Sequence, residues 1–529
     1  MVKRKPGRAP ETSQRGLGLE SRAPVIPASA SAVDSSFRRG DPERLFLGDV
    51  RLRDYLGSVG MDWVVQLRKQ IAELDVSTLV RAYSDQGRKA IHPQVMLGLI
   101  VYGMLLRQWS LRELEGLARR DLGAFFICGG EQPDHSTIGK FIQMHAQTMT
   151  DEFFVSVTRQ LLAKLRIPAG DVAVDGTVIE AAASRFGTLR AEAARLAADQ
   201  AALAAAAAPA DTGAQANADR ARAAAEAVEH RAEQRKQKGE DPDGARIAPS
   251  DPDAVIQPRK DGANRPAYKP SVAANAERFI VGQQLEASSE TRAIEPIFWQ
   301  YGAIFGAEPR TTMLDAGYFC GGVLRFFLNL DWDILCPSGQ ALHDDDWEKE
   351  TSKGKFSKRL FVYQPDEDRF ICPSGRTLVL LDQNTDRHGH KIRRYRGAQC
   401  GDCPVRTKCT DAKLGRQLTR YPDDDIKAGQ IEVMKQPMAR KTYKRRSAIV
   451  EPVFAELRER QGLKRFHRRG RRMVAAEFAL HCIAFNLKRA GRLEAAAAVV
   501  FVVVRLHGRS EPAIVIAIFF TASVHPPHQ

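Results

Sequence analysis

Two aspartates stand where short, β-branched runs end: Asp175 in AVDGT and Asp315 in MLDAGY. A carboxylate at the carboxyl edge of a central strand opens onto the crevice above the sheet, where it is well placed to hold a cation. A third acid, Glu451 in SAIVEPVFAELRE, falls on an expected helix amid basic residues. Three hard oxygen donors held by a sheet and a helix suit one or two Mg²⁺ (or Mn²⁺) ions. Two such ions about 4 Å apart activate an attacking oxygen and stabilise the leaving oxygen of an in-line phosphoryl displacement. Glu456 and Glu459 share the helix but lie about 140° and 80° around it from Glu451, so they face elsewhere.

The surroundings of Glu451 are charged. Lys435–Arg472 holds 14 basic and 3 acidic residues, a density that suits a phosphate backbone and makes affinity for it strongly salt-dependent. Tyr443, Arg445, Arg446, Arg458, Lys464 and Arg465 are the candidate DNA contacts. The whole chain of 529 residues carries a net charge of +15, so its expected partner is a polyanion.

A second constellation is made of thiols. Cys400-Gly-Asp-Cys403 and Cys409, with Cys372 upstream in FICPSG, place four cysteines in one polar stretch. A Cys-x2-Cys knuckle with two further cysteines is the grammar of a tetrahedral structural zinc site. His388 or His390 is an alternative ligand. Cys128, Cys320, Cys336 and Cys482 sit in apolar contexts and read as core residues. Eight cysteines in 529 residues are too sparse for a disulfide scaffold.

The elements that must position these groups follow from periodicity and punctuation. Residues 1–43 read as a disordered basic lead-in. Residues 44–168 turn helical, with Pro93 opening one helix, a Ser110–Glu113 capping box opening a second and Asp134 capping a third. Short helices joined by tight turns suit a helix-turn-helix-like, DNA-binding module. Residues 169–490 read as an α/β domain with a mixed sheet. It has a strand at Asp171–Asp175, a hairpin at Tyr268–Ala274 and Phe279–Ala287, and a helix at Glu290–Gly306. A strand follows at Thr311–Asp315, a helix at Gly321–Leu328, a strand at Trp332–Cys336 and a basic helical stretch at Tyr443–Arg489.

Two insertions interrupt that domain. Of the residues from 191 to 230, 21 are Ala, which favours helix but offers little bulk to bury. The segment 187–250 therefore reads as a solvated arm or antiparallel helix pair, broken near Pro209 to Gly213. Residues 337–434 form the cysteine-bearing insertion. The tail, 491–529, is apolar and atypical, with a texture that suits readthrough into another frame or an aggregation-prone end. Its runs Ala495–Val504 and Pro512–Phe520 fall well short of the roughly 20 residues a membrane span needs. The basic start has no apolar segment behind it, so it is not a secretory signal. A cytoplasmic, nucleoid-associated protein with no membrane contact is expected.

Three stretches, VAVDGTVIEAAASR, MLDAGYF and YKRRSAIVEPVFAELRERQGLKRFHRRG, resemble the three blocks of a DDE transposase of bacterial insertion sequences. HPQVMLGLIVYG and PDHSTIGKF resemble the helical amino-terminal domain common in these proteins. The likeness covers roughly residues 44–490 and is most specific in the last block. It implies a ribonuclease H-like catalytic domain in which Asp175, Asp315 and Glu451 bind Mg²⁺. Tyr443 and Arg446 fit the Tyr and Arg of the last block. Four residues separate Arg446 from Glu451 where the family has three, and Arg458 stands where the family has Lys. Arg still grips phosphate, though as a bidentate fork rather than a point charge.

The resemblance further implies a transposase that cuts the ends of its own element and joins them to target DNA. Water releases a 3′-hydroxyl, which then attacks the target, with no covalent enzyme intermediate. The expected partner is double-stranded DNA, as terminal repeats and target, bound by a homodimer. Two alternatives stay open: a metal-dependent nuclease of the same fold, and a decayed, DNA-binding regulator. The intact acids argue against decay, and the odd tail argues mildly for it.

Overall fold

A computed structural model describes residues 37–507, apart from 85–87, 185, 238, 260–261, 340–354 and 387–388. Most of the expected lead-in, His388 and the end of the tail lie outside the described residues. The architecture is mixed α/β, with helices and several sheets.

The front end is helical: α1 (Leu52–Ser58), α2 (Asp62–Glu73), α3 (Pro93–Leu105), α4 (Leu111–Arg120), α5 (Leu122–Cys128), α6 (His135–Thr148) and α7 (Phe154–Lys164). Their starts follow from local chemistry. Pro93 occupies the first turn of α3 behind a His92 cap, and Ser110 and Glu113 cap α4 reciprocally. Asp134 accepts the Thr137 N–H at 2.7 Å to open α6. The lead-in ends earlier than expected. Phe37 is buried, and His92 N–H bonds Arg38 O, so residues 37–43 pack against this bundle.

The central sheet comprises β1 (Val172–Gly176), β2 (Ile179–Glu180), β3 (Val255–Pro258), β4 (Asn264–Asn275), β5 (Ile280–Glu286), β6 (Thr312–Met313) and β7 (Ile334–Leu335). Long β4 pairs antiparallel with β1, β2, β3 and β5. On the other side of β1, β6 and β7 continue the sheet in parallel. Strand β1 starts buried because its continuous Val and Ala run is covered on both faces of the sheet. Helices α10 (Ile294–Phe305) and α11 (Gly321–Asn329) supply the parallel crossovers. The Ala-rich insertion is the expected antiparallel pair, α8 (Ala191–Ala207) and α9 (Thr212–Gln237), with its own small core around Val228 and Ile247.

The cysteine-bearing insertion folds as a second sheet, an antiparallel meander of β8 (Val362–Gln364), β9 (Arg369–Ile371), β10 (Thr377–Thr385), β11 (Lys391–Gly397) and β12 (Gln417–Arg420). Three helices follow: α12 (Asp424–Lys435), α13 (Pro437–Tyr443) and α14 (Arg445–Ala455).

The expected helical stretch Tyr443–Arg489 is interrupted. After α14 comes a wide turn, Glu456–Arg460, then non-helical chain between Gly462 and Gly470, whose φ values of 77° and 78° no helix accommodates. α15 (Arg471–His507) then runs unbroken through position 491, so the expected start of the tail falls inside a helix. α15 packs on α2, α3, α6, α7 and β5 at once. One hydrophobic core therefore extends from Leu52 to Ala490, and the helical front end shares it with the sheet.

Candidate active site

Register brings the two aspartates level. Ala173 pairs with Met313 across the parallel β1–β6 ladder, so Asp175 and Asp315, each two residues on, leave adjoining strands at the same height. Neighbouring strands lie about 4.8 Å apart. Each carboxylate is held by nearby backbone: Asp175 Oδ1 accepts Gly176 N–H at 2.8 Å at the end of β1, and Asp315 Oδ1, capping the short turn Ala316–Tyr318, accepts Gly317 N–H at 2.8 Å.

Arg446 closes the space between them. Its Nη2 stands 3.2 Å from Asp175 Oδ1 and 3.9 Å from Asp315 Oδ2, and donates to Val174 O at 3.2 Å. It reaches there because α14 lays Arg446, Ile449, Val450 and Val453 against the core. Burial pushes the Asp175 carboxyl above the usual carboxylate range, opposed first by Arg446, while Asp315 and Glu290 add to the rise. Tyr443, half-buried beside this pair, is pushed up to about 12 by burial.

Glu451 occupies a different face. It is exposed on α14, about 140° around the helix from Arg446. Arg458, within the wide turn, donates to Thr177 Oγ1 at 3.3 Å, two residues beyond Asp175. Glu451 is thus bracketed along the chain by two arginines that both reach the end of β1. Among the described residues, no three acid, His or Cys side chains are gathered so as to hold a metal ion.

Glu290 is the acid that reading by motif missed. It begins the turn Glu290–Ala293 after β5, and its carboxylate pairs with Lys269 Nζ at 3.1 Å. Its oxygens lie 3.0 and 2.6 Å from where side chains on Gly176 and Gly317 would begin. Nothing in ASSETRA marks it, because it enters from a turn rather than a strand end.

The other expected basic contacts are largely engaged within the fold. Arg445 Nη1 pairs with Asp171 at 2.8 Å, and Lys464 with Glu459 at 2.7 Å. Arg465 donates to Ala181 O and Ala183 O, each at 3.2 Å. Lys441 and Lys444 belong to the same basic stretch, and Lys441 is exposed.

Asp175 and Asp315, at one height, are hard oxygen donors of the kind a divalent cation takes, with a guanidinium now countering their charge and Glu290 adding negative field beside them. No helix among the described residues is long and apolar enough to cross a membrane. Residues 371–490 match the family model of a transposase DDE domain, and residues 62–144 that of a transposase domain (DUF772). Asp175 and Asp315 lie between the two matched stretches, whereas Glu451 lies inside the first. No curated protein matches the chain.

Proposed function

We propose that this chain, a DDE transposase of an insertion sequence, cleaves and joins DNA at the strand ends that carry Asp175 and Asp315. The observation that carries this is the register that sets the two carboxylates side by side under Arg446. The strand order β5-β4-β1-β6-β7, antiparallel up to β1 and parallel beyond it, supports the ribonuclease H-like reading.

Asp175 and Asp315 would hold the Mg²⁺ or Mn²⁺, and Glu451, exposed on another face of α14, would join them as third ligand on the resemblance of its block rather than on this geometry. When bound, the cation activates the attacking oxygen and stabilises the leaving oxygen. Asp175 and Asp315 are pre-oriented by the Gly176 and Gly317 N–H groups, so little reorganisation is needed. Arg446 neutralises the acid pair, and Arg458 stands ready at Thr177 to grip a phosphate. The protein would act in the cytoplasm, as a homodimer on element ends and target DNA.

The direct test combines purified protein, Mg²⁺, labelled element ends and a target plasmid, with cleavage and joining scored separately. Both products are expected. Cleavage without joining would indicate a nuclease, and binding without cleavage a regulator.

The third carboxylate is tested by two variants. Glu451→Gln should abolish cleavage, whereas Glu290→Gln should slow it by about tenfold and raise the half-saturating Mn²⁺ concentration, since Glu290 adds to the negative field without being a ligand. Full loss in Glu290→Gln with activity retained in Glu451→Gln would transfer the ligand role to Glu290.

Grip and choice of site should also separate. Helix α6 carries Ser136, Lys140, Gln143 and Gln147, types that read base edges, with Ser136, Lys140 and Gln143 exposed. We therefore assign end recognition to the helical front end. Replacing Lys140, Gln143 and Gln147 by Ala in the full chain should erase most discrimination between terminal-repeat and scrambled DNA. Replacing Lys441, Lys444 and Lys464 by Ala should instead weaken binding to both and flatten the salt slope by roughly 2–3. Discrimination unchanged in the α6 variant would move end recognition to the catalytic half.

A further inference from the structure

The small second sheet is poorly supported by its own core. Its buried residues are Phe361, Phe370, Leu378, Tyr395, Cys409 and Leu418. So few apolar side chains under five strands rarely suffice, and folds of this size recruit a disulfide or a metal. The cysteines here form no disulfide.

At one end of that sheet the chain builds turns around sulphur. After β9, Cys372 O accepts Gly375 N–H at 2.9 Å, and Cys372 Sγ accepts Arg376 N–H at 3.3 Å. Gly375, at a φ of 74°, makes this turn possible. After β11, Cys400 Sγ faces Arg416 N–H at 3.5 Å. Two glycines leave room for that sulphur. A side chain on Gly397 would begin 2.7 Å from Cys400 Sγ, and one on Gly415 (φ 92°) would begin 3.1 Å from it. Cys403 begins the next turn, accepting Arg406 N–H on its carbonyl at 3.0 Å, with its Sγ 3.8 Å from Ser374 Oγ.

Cys409 is buried, within electrostatic reach of the other three sulphurs, and all four line one pocket. Arginines tie the turns together through backbone carbonyls: Arg376 to Gln399 and Asp402, Arg406 to Cys400, Arg416 to Cys409. Those bonds leave the sulphurs to face the pocket. His390 is excluded as a substitute, because it sits at the far end of the β10–β11 hairpin and bonds Asp386.

We propose that Cys372, Cys400, Cys403 and Cys409 bind one structural zinc ion. Backbone N–H groups on thiolate sulphur are the outer-shell bonds that orient such ligands, and a set of four thiolates closes a tetrahedral site with no open position. As they stand no three of the thiols are gathered tightly enough to hold an ion, so zinc would draw them together and its binding energy would stabilise the sheet. The site would then brace β12 and the helices that lead to Arg446 and Glu451. This inference is independent of the catalytic reading.

The test is metal analysis of full-length protein purified without chelator, then replacement of the metal by Co²⁺. About one zinc per chain is expected, together with the ligand-field and charge-transfer bands of a tetrahedral cobalt thiolate. Cys400→Ser with Cys403→Ser should lose the metal and speed hydrogen exchange across residues 355–420, whereas Cys320→Ser should retain both. Zinc-free wild-type protein with all four thiols freely reactive would overturn the proposal. A cobalt spectrum lacking thiolate charge transfer would do so too.

Discussion

Asp175→Asn and Asp315→Asn should each cut strand cleavage by at least ~10³-fold, while DNA binding in the absence of metal changes less than about threefold. Asparagine keeps the shape and the Oδ1 that accepts the Gly176 or Gly317 N–H, so the backbone contact at each strand end survives. What is lost is the negative charge under Arg446, and with it the hard donor for a divalent cation. Binding should persist because the cations Lys441, Lys444 and Lys464 lie on other elements. Gel-shift titration and a single-turnover cleavage assay on the same preparations give the two numbers. Near wild-type cleavage by either variant in Mg²⁺ would remove that aspartate from the site, and a parallel loss of binding would mean the fold had been damaged.

The largest effect on stability is expected at Glu477. It is 2% exposed, and its carboxylate accepts Trp109 Nε1 at 2.9 Å, His467 N–H at 2.9 Å and Arg468 N–H at 2.8 Å. Trp109 also stacks on His467, with ring centroids 4.6 Å apart. One side chain on α15 thus ties the helical front end to the irregular segment between Gly462 and Gly470. Glu477→Ala strands the buried Trp109 donor and two partly buried backbone N–H groups and should cost about 3–5 kcal/mol. Glu477→Gln keeps one acceptor oxygen and should fall between Glu477→Ala and wild type. Urea unfolding checks this, and a midpoint unchanged in Glu477→Ala would show the network to be dispensable. Because one core is shared, isolated front-end and sheet fragments are not expected to fold alone.

Several features were legible because they depend on neighbours in sequence. Caps at Ser110 and Asp134, the helix pair around Pro209 and the β4–β5 hairpin all follow from hydrogen-bonding groups and periods within a few residues. The break after Arg460 was less legible. The basic residues there suit a helix, but Gly462 and Gly470 take left-handed backbone and Glu477 rewards the non-helical path. Charge density near Glu451 was visible, yet its use was not. Arg445 and Arg465 turn inward to Asp171 and to strand-end carbonyls, since buried acceptors need donors more than solvent does.

Taken by itself, the sequence determined that two aspartates end strands, that four thiols share one insertion, and that a basic segment carries a glutamate. These are properties of residue type and short spacing. Only the tertiary structure decided that Asp175 and Asp315 stand level, that Arg446 lies between them, that Glu290 joins them from a turn, and that α15 fuses the front end to the sheet. Strand register and helix docking bring together residues far apart in the chain. Their outcome depends on which whole set of faces buries best, a quantity no local window contains.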